Sequence, residues 1–152
     1  MNHTNNSIFS KSFLKTLFIK QNQHHRYGVL GHTLKVTYSV LKQRDYRFVL
    51  AALLHDIGKP FVAYQKDEDI EFNEYSFTDH EDKSYQIIKN WRFVSQWTKD
   101  IVRYHYIIRD IRKCKEKNDY KRLNRLENNW ATFNSEFISE LEQFLVYDDL
   151  GK

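Results

Sequence analysis

Few residues in this chain break helices or form covalent cross-links. The 152 residues include one cysteine, one proline and four glycines. A single cysteine excludes a disulfide framework and a zinc site with four thiolate ligands, and it favours the cytoplasm as the compartment. The scarcity of proline and glycine, together with 41% hydrophobic residues, is typical of a globular helical protein.

Several catalytic and membrane signatures are also missing. The sequence has no Gly-x-Ser-x-Gly elbow, no glycine-rich phosphate loop and no recognisable motif that places cysteine beside histidine, so we expect no such side-chain nucleophile. Residues 1–21 carry lysines within their apolar pattern and resemble neither a signal peptide nor a membrane span. The length predicts one domain, residues 1–152, with no room for a second catalytic domain.

Apolar residues recur at helical spacing through most of the chain, and this periodicity predicts an all-α fold. Residues 61–78 lack the pattern and predict a long loop, with a short strand pair at 70–72 as one option. Breaks are expected at 118–119 and 128–129. The pattern predicts helices at 7–20, 29–43 and 95–113. It also predicts a helix from about 45 that ends at Gly58 and Pro60, a helix that begins at about 80, and a last helix that begins after Asn134 or Ser135.

Three polar side chains interrupt the apolar helical faces. His32 shares a stripe with Val36 and Val40, whereas His55 and Asp56 end the apolar run that precedes Gly58. Burying an imidazole and a carboxylate is costly unless a charged partner satisfies them, and a divalent metal satisfies both. The alternative for His55 and Asp56 is a chance neighbour pair at an exposed helix end, and for His32 a hydrogen-bonded core residue.

The segment HDIGKP at residues 55–60 resembles the signature of the HD-domain metal-dependent phosphohydrolases. The upstream segment QNQHHRYGVLGHTL, residues 21–34, is similar to the approach to the first metal histidine of that superfamily. Within the superfamily the chain looks most similar to the HD domain of bacterial tRNA nucleotidyltransferases. The resemblance implies a single HD-domain bundle of about six to seven helices, with an N-terminal helix at 7–20 and the HD core at 21–151.

The resemblance also implies further ligands. FTDHE at residues 77–81 resembles the aromatic-His-Glu start of a family helix, and His105 resembles the histidine that members with two metals place on the following helix. A late aspartate closes the family site; helical phase favours Asp148, with Asp149 as the alternative. His80 and His105 are metal ligands in one interpretation and structural or substrate-contacting residues in the other.

The expected metal ligands are therefore His32, His55, Asp56, His80, His105 and Asp148, binding one or two divalent ions of Mn, Fe, Ni, Co, Zn or Mg. With two ions, Asp56 bridges them. Asp56 and Lys59 are the expected catalytic residues.

The expected substrate is a phosphorylated small molecule, a nucleotide or an RNA end, without membrane association. Lys59 is expected to balance phosphate charge, with Arg26 and His25 as weaker candidates; the alternative for Lys59 is a charge that satisfies a helix C-terminus. Residues 99–125 hold ten Lys or Arg against four Asp or Glu, a net +6 that suits a phosphate-rich ligand or an ordinary solvated helix face.

We therefore expect a phosphatase or cyclic phosphodiesterase. The first alternative is a degenerate HD-domain module that senses nucleotides or binds nucleic acid without catalysis. The second is a structural interaction protein, which the inward-facing carboxylates disfavour because unpaired buried charge is costly.

Overall fold

The computed structural model describes residues 28–67 and 73–152, together with Leu14, Phe18, Gln21 and Ile70. Within these residues the regular structure is helical, and the only β-type pairing is an isolated antiparallel bridge between Tyr64 and Ser76. The α-helices are α1 Val29–Lys42, α2 Val49–Leu54, α3 Lys59–Val62, α4 His80–Ile88, α5 Gln96–Tyr104, α6 Ile107–Lys117, α7 Tyr120–Trp130 and α8 Ser135–Leu150.

The predicted all-α fold is confirmed. Most of the N-terminal helix predicted at 7–20, and two of the three residues of the strand pair predicted at 70–72, lie outside the described residues. No helix in the described part of the chain is long and apolar enough to cross a bilayer.

The short helix α2 lies at the centre of the packing. It packs against α1 on one side and α5 on the other, while α8 contacts both α1 and α5. Helix α4 packs against α3 and α5, and α6 pairs with α7. The core they enclose contains Val36, Val40, Phe48, Ala51, Ala52, Ile88, Ile101, Val102, Leu141, Phe144 and Tyr147. Because α2 is apolar and buried, the residues that follow it are directed into this core.

Two predictions about helix breaks are wrong. The stretch predicted as one helix at 95–113 is divided at His105 and Tyr106, between α5 and α6. At this break the Nδ1 atom of His105 donates to the Val102 carbonyl oxygen at 2.7 Å. The break predicted at 128–129 is absent, since α7 continues to Trp130 and its apolar residues pack on the core.

Gly58 and Pro60 act differently from the prediction. Helix α2 has already ended at Leu54, and Pro60 lies in the first turn of α3, where its missing N–H costs nothing. Gly58 has an ordinary φ of −80° and serves close packing instead. A Cβ built on Gly58 would lie 2.5 Å from both the His80 carbonyl oxygen and the Ser84 nitrogen. The turn after α2 therefore lies directly against α4.

The predicted break at 118–119 and the predicted start of the last helix are both present. Asn118 ends α6 in the left-handed conformation with φ of 55°, and Asp119 caps α7 by accepting the Arg122 N–H. Asn134 caps α8 by accepting the Phe137 N–H. These caps satisfy helix N–H groups that have no acceptor within the helix.

Candidate metal centre

The six side chains predicted as metal ligands are brought together in the interior. The exposed fraction of each residue is at most 4%. Three helices supply half of these residues, since His32 comes from α1, His80 starts α4 and Asp148 belongs to α8. The remaining three, His55, Asp56 and His105, lie in the turns that follow α2 and α5.

The four imidazoles are held in one tautomer by backbone carbonyls. Nδ1 of His55 lies 2.8 Å from the Ala52 oxygen, and Nδ1 of His105 lies 2.7 Å from the Val102 oxygen. His80 makes the same contact with the carbonyl three residues earlier, at 2.9 Å, and His32 bonds the Gly151 carbonyl at 3.1 Å. A carbonyl only accepts, so each Nδ1 donates and each Nε2 is left to face the cluster.

One group of ligand atoms surrounds Asp56 Oδ2. Nε2 of His55 lies 3.2 Å from this oxygen, and Nε2 of His32 lies 3.5 Å from it. Asp148 Oδ1 completes the group at 2.8 Å from His32 Nε2 and 3.5 Å from His55 Nε2. Two nitrogens and two carboxylate oxygens thus surround one point.

A second group surrounds the other oxygen of the same carboxylate. Asp56 Oδ1 lies 3.3 Å from His80 Nε2 and 3.9 Å from His105 Nε2, and these two nitrogens are 3.3 Å apart. The two oxygens of Asp56 therefore face different histidine pairs. Each oxygen of Asp56 would therefore be available to a separate group of ligands.

These residues fit divalent metal ions. Two neutral imidazoles that both present Nε2 lone pairs repel unless a cation or a proton lies between them, and both histidine pairs approach to 3.3 Å. Neither oxygen of Asp56 accepts a hydrogen bond from the described residues, although the Lys59 ammonium lies 2.7 Å from Oδ2. Mixed nitrogen and oxygen ligands suit first-row divalent metals.

The electrostatics keep both carboxylates ionised and the His105 ring neutral, whereas His55 holds a proton that a metal ion would have to displace. Burial lowers the pKa of His55, but Asp56 and Asp148 outweigh it and raise that pKa to about 9. Burial raises the pKa of Asp56, but His55 and Lys59 bring it well below its usual range. Burial and the adjacent imidazoles hold the pKa of His105 well below normal, which keeps this ring neutral.

Lys59 occupies a different position from the one that a free phosphate-binding lysine would take. Its Nζ lies between Asp56 Oδ2 and the Gln21 Oε1 atom, which is 2.6 Å away, and its side chain is 7% exposed. The ammonium therefore balances the charge of the central carboxylate. Lys59 also lines the cleft that opens onto the cluster, so one side of it is within reach of a ligand.

The two adjacent acids of α8 are clearly separated. Asp148 faces the histidines, whereas the Asp149 side chain is 52% exposed. This agrees with the helical phase that favoured Asp148.

Arg109 is a site residue that sequence reasoning missed. It pairs with the second oxygen of Asp148, and its other amino group lies 2.7 Å from Asp149 Oδ1. Burial raises the pKa of Asp148, but its imidazole contacts and the Arg109 charge lower it well below its usual range. The only sequence signal was the position of Arg109 one turn after His105. His25 and Arg26, the weaker phosphate candidates, lie outside the described residues.

A cleft of about 510 Å³ opens onto the cluster. Asp56, His80, His105 and Asp148 form its floor, and the walls carry Lys59, Tyr106 and Arg109 close to the floor. Farther from the floor the lining is provided by charged residues of α6 and α7 and of the preceding loops, including Lys66, Asp79, Asp110, Lys113, Lys117 and Arg122.

A family model described as the HD domain matches residues 24–129. The comparisons with curated proteins and with solved structures gave no significant match. The matched region contains His32, the His55–Asp56 pair, His80 and His105, whereas Asp148 lies beyond it and joins the cluster through the fold. Because the match covers more than half of the chain, the protein belongs to the HD domain family, whose members are generally metal-dependent phosphohydrolases.

Proposed function

We propose that this protein is a metal-dependent phosphohydrolase, with phosphatase or cyclic phosphodiesterase activity on a nucleotide or an RNA-terminal phosphate. One observation carries the proposal. Four imidazoles, each fixed through Nδ1, direct Nε2 toward the two oxygens of Asp56 at the floor of an open cleft. A merely structural cluster does not need a route to solvent, whereas a hydrolase does.

In this proposal, His32, His55, Asp56 and Asp148 would hold one ion. Asp56 together with His80 and His105 would hold a second. Divalent metal bound there would supply Lewis acidity, which lowers the pKa of water toward neutrality and polarises a phosphoryl oxygen.

The chain's own residues then bind and orient the substrate. Lys59 holds Asp56 in place through its 2.7 Å ion pair and adds positive charge to the wall that a phosphate group passes. Arg109 holds Asp148 from the side opposite to the histidines and keeps this carboxylate ionised. Both cations lower the energetic cost of bringing a phosphate anion next to two carboxylates.

The substrate class is supported by the cleft and by the sequence resemblance. A volume of about 510 Å³ lies within the range of roughly 300–1,000 Å³ that small-molecule sites occupy. The proposed nucleotide or RNA end also follows from the similarity of residues 21–34 and 55–60 to the HD domain of tRNA nucleotidyltransferases. That similarity supports a terminal phosphate or cyclic phosphate as the group that is hydrolysed.

A screen of generic phosphomonoesters, phosphodiesters and nucleotides under several divalent ions tests the proposal. We expect activity in the wild type and its loss in His55→Ala and Asp56→Ala, with the helical content retained. Asp82→Asn is the matched control, because this carboxylate is 59% exposed and does not line the cleft. Full activity in either centre variant contradicts the proposal. An inactive wild type that still binds nucleotides supports the sensing module.

A further inference from the structure

One face of α6 continues the cleft away from the metal centre. Arg109, Lys113 and Lys117 are spaced four residues apart, so they form a single stripe along this helix, and all three line the cleft. Arg109 marks the inner end, because it pairs with Asp148 of the centre. At a rise of 1.5 Å per residue, Lys113 lies about 6 Å and Lys117 about 12 Å farther along the axis.

The two outer lysines carry charge that no carboxylate neutralises within the described residues. Lys113 donates to the Tyr106 hydroxyl at 2.6 Å, an uncharged acceptor, and no ion pair of Lys117 occurs in that part of the chain. Two acids in the same cleft, Asp79 and Asp110, contact Arg122 at 2.9 and 2.8 Å and form no ion pair with either lysine within the described residues. The stripe therefore presents two available positive charges to a ligand.

An aromatic ring lies between these lysines and the metal centre. Tyr106 directly follows His105, lines the cleft and contacts the His80 ring edge to face at 5.2 Å. Grooves that combine a track of positive charge with an aromatic side chain are typical of sites for single-stranded nucleic acid, in which the backbone follows the charges and bases stack on the rings.

We propose that the α6 face formed by Tyr106, Lys113 and Lys117 binds the backbone of a single-stranded oligonucleotide whose terminal phosphate enters the metal centre. The inference rests on the proposed function for the position of the terminal phosphate. The spacing favours a strand over a nucleoside polyphosphate, because phosphates joined by one oxygen lie closer together than one helical turn. A sugar separates successive phosphates of a strand, which suits lysines one turn apart.

The test compares the double variant Lys113→Gln, Lys117→Gln with the charge-matched control Lys89→Gln, Lys115→Gln. Both variants lose two positive charges, but Lys89 and Lys115 do not line the cleft. Binding is measured by fluorescence polarisation with a labelled six-nucleotide RNA at several salt concentrations. Turnover is measured on the same RNA with a terminal phosphate and on the matching mononucleotide.

We expect the α6 variant to bind the RNA more weakly and to show a salt dependence shallower by about 1.4 in log–log slope, the value for two phosphate contacts on a single strand. KM for the RNA should rise while kcat/KM for the mononucleotide stays within twofold, and the control should resemble the wild type. Equal losses in both variants, an unchanged salt slope, or equal losses on RNA and mononucleotide would overturn the proposal.

The same experiment separates this inference from the proposed function. If the wild type hydrolyses no phosphoester but binds RNA through Lys113 and Lys117, the result contradicts the proposed catalysis and supports the oligonucleotide-binding site on α6. If the wild type hydrolyses mononucleotides but shows no lysine-dependent RNA binding, the result supports the proposed catalysis and overturns the oligonucleotide-binding site on α6.

Discussion

Replacing Gly58 by alanine tests whether the contact between the turn after α2 and helix α4 sets the position of His80. The added Cβ would lie 2.5 Å from the His80 oxygen and from the Ser84 nitrogen, where an ordinary contact needs 3.4 Å. Both atoms are backbone, so no side chain can move aside, and α4 must retreat by about 0.9 Å. Overpacking of this kind costs about 1–3 kcal/mol of folding free energy.

The displacement should affect one half of the metal centre more than the other. His80 begins α4, and its Nε2 lies 3.3 Å from Asp56 Oδ1. Because metal–ligand distances tolerate only about 0.2 Å, a shift of 0.9 Å removes His80 from any ion held on that side. We expect Gly58→Ala to lose the second ion and to retain the one near His32 and His55.

The assay combines urea unfolding with elemental analysis of the purified protein. Ser84→Ala is the matched comparison, because it removes the 2.9 Å bond from the Gly58 N–H and the 2.7 Å bond to the His55 carbonyl without adding volume. It should lower stability while keeping both ions. An unfolding midpoint and a metal content equal to those of the wild type in Gly58→Ala would refute the steric argument.

Three further outcomes are expected. If His80 and His105 hold a second ion, the wild type carries close to two metals per chain and each His→Ala variant about one; unchanged metal content in both variants means that they contact substrate instead. Asp148→Asn should reduce metal content and activity far more than Asp149→Asn, and the reverse order would show that Asp149 is the ligand. Chelation should abolish turnover and lower the midpoint of thermal unfolding, since a ligand that binds only the folded state stabilises it; readdition of the metal should restore both, and turnover that survives full metal removal would contradict metal dependence.

Much of the prediction of the candidate site was based on helical periodicity. A polar residue that shares the helical phase of an apolar stripe faces the core, as the stripe does. This argument placed His32 and Asp148 inside the core, where His32 Nε2 lies 2.8 Å from Asp148 Oδ1. The start of the last helix, after Asn134 or Ser135, could also be predicted from the sequence, because helix capping depends on residues close in sequence. Local patterns thus predict which way a side chain faces.

The parts that sequence reasoning missed depend on contacts between distant segments. The break at His105 is an exception, since it is local, but the apolar stripe continues across it without a change in pattern and so does not indicate it. The pairing of Arg109 with Asp148 joins residues 39 positions apart, so no local spacing indicates it. The position of Lys59 beside Asp56 depends equally on Gln21, 38 residues earlier in the chain.

We expect the cluster to assemble late in folding because of the contacts of His32. Its two ring nitrogens bond the Gly151 carbonyl and the Asp148 carboxylate, which are 119 and 116 residues away in the chain. Such pairings must overcome the entropy of closing a very long loop, so they form after local helices. During synthesis, neither partner of His32 exists until residue 148 has been translated. A chain that stops short of α8 can form several helices, yet it leaves this imidazole without both of its partners, so metal binding by the first group would require that translation has passed residue 148 and that α8 has docked.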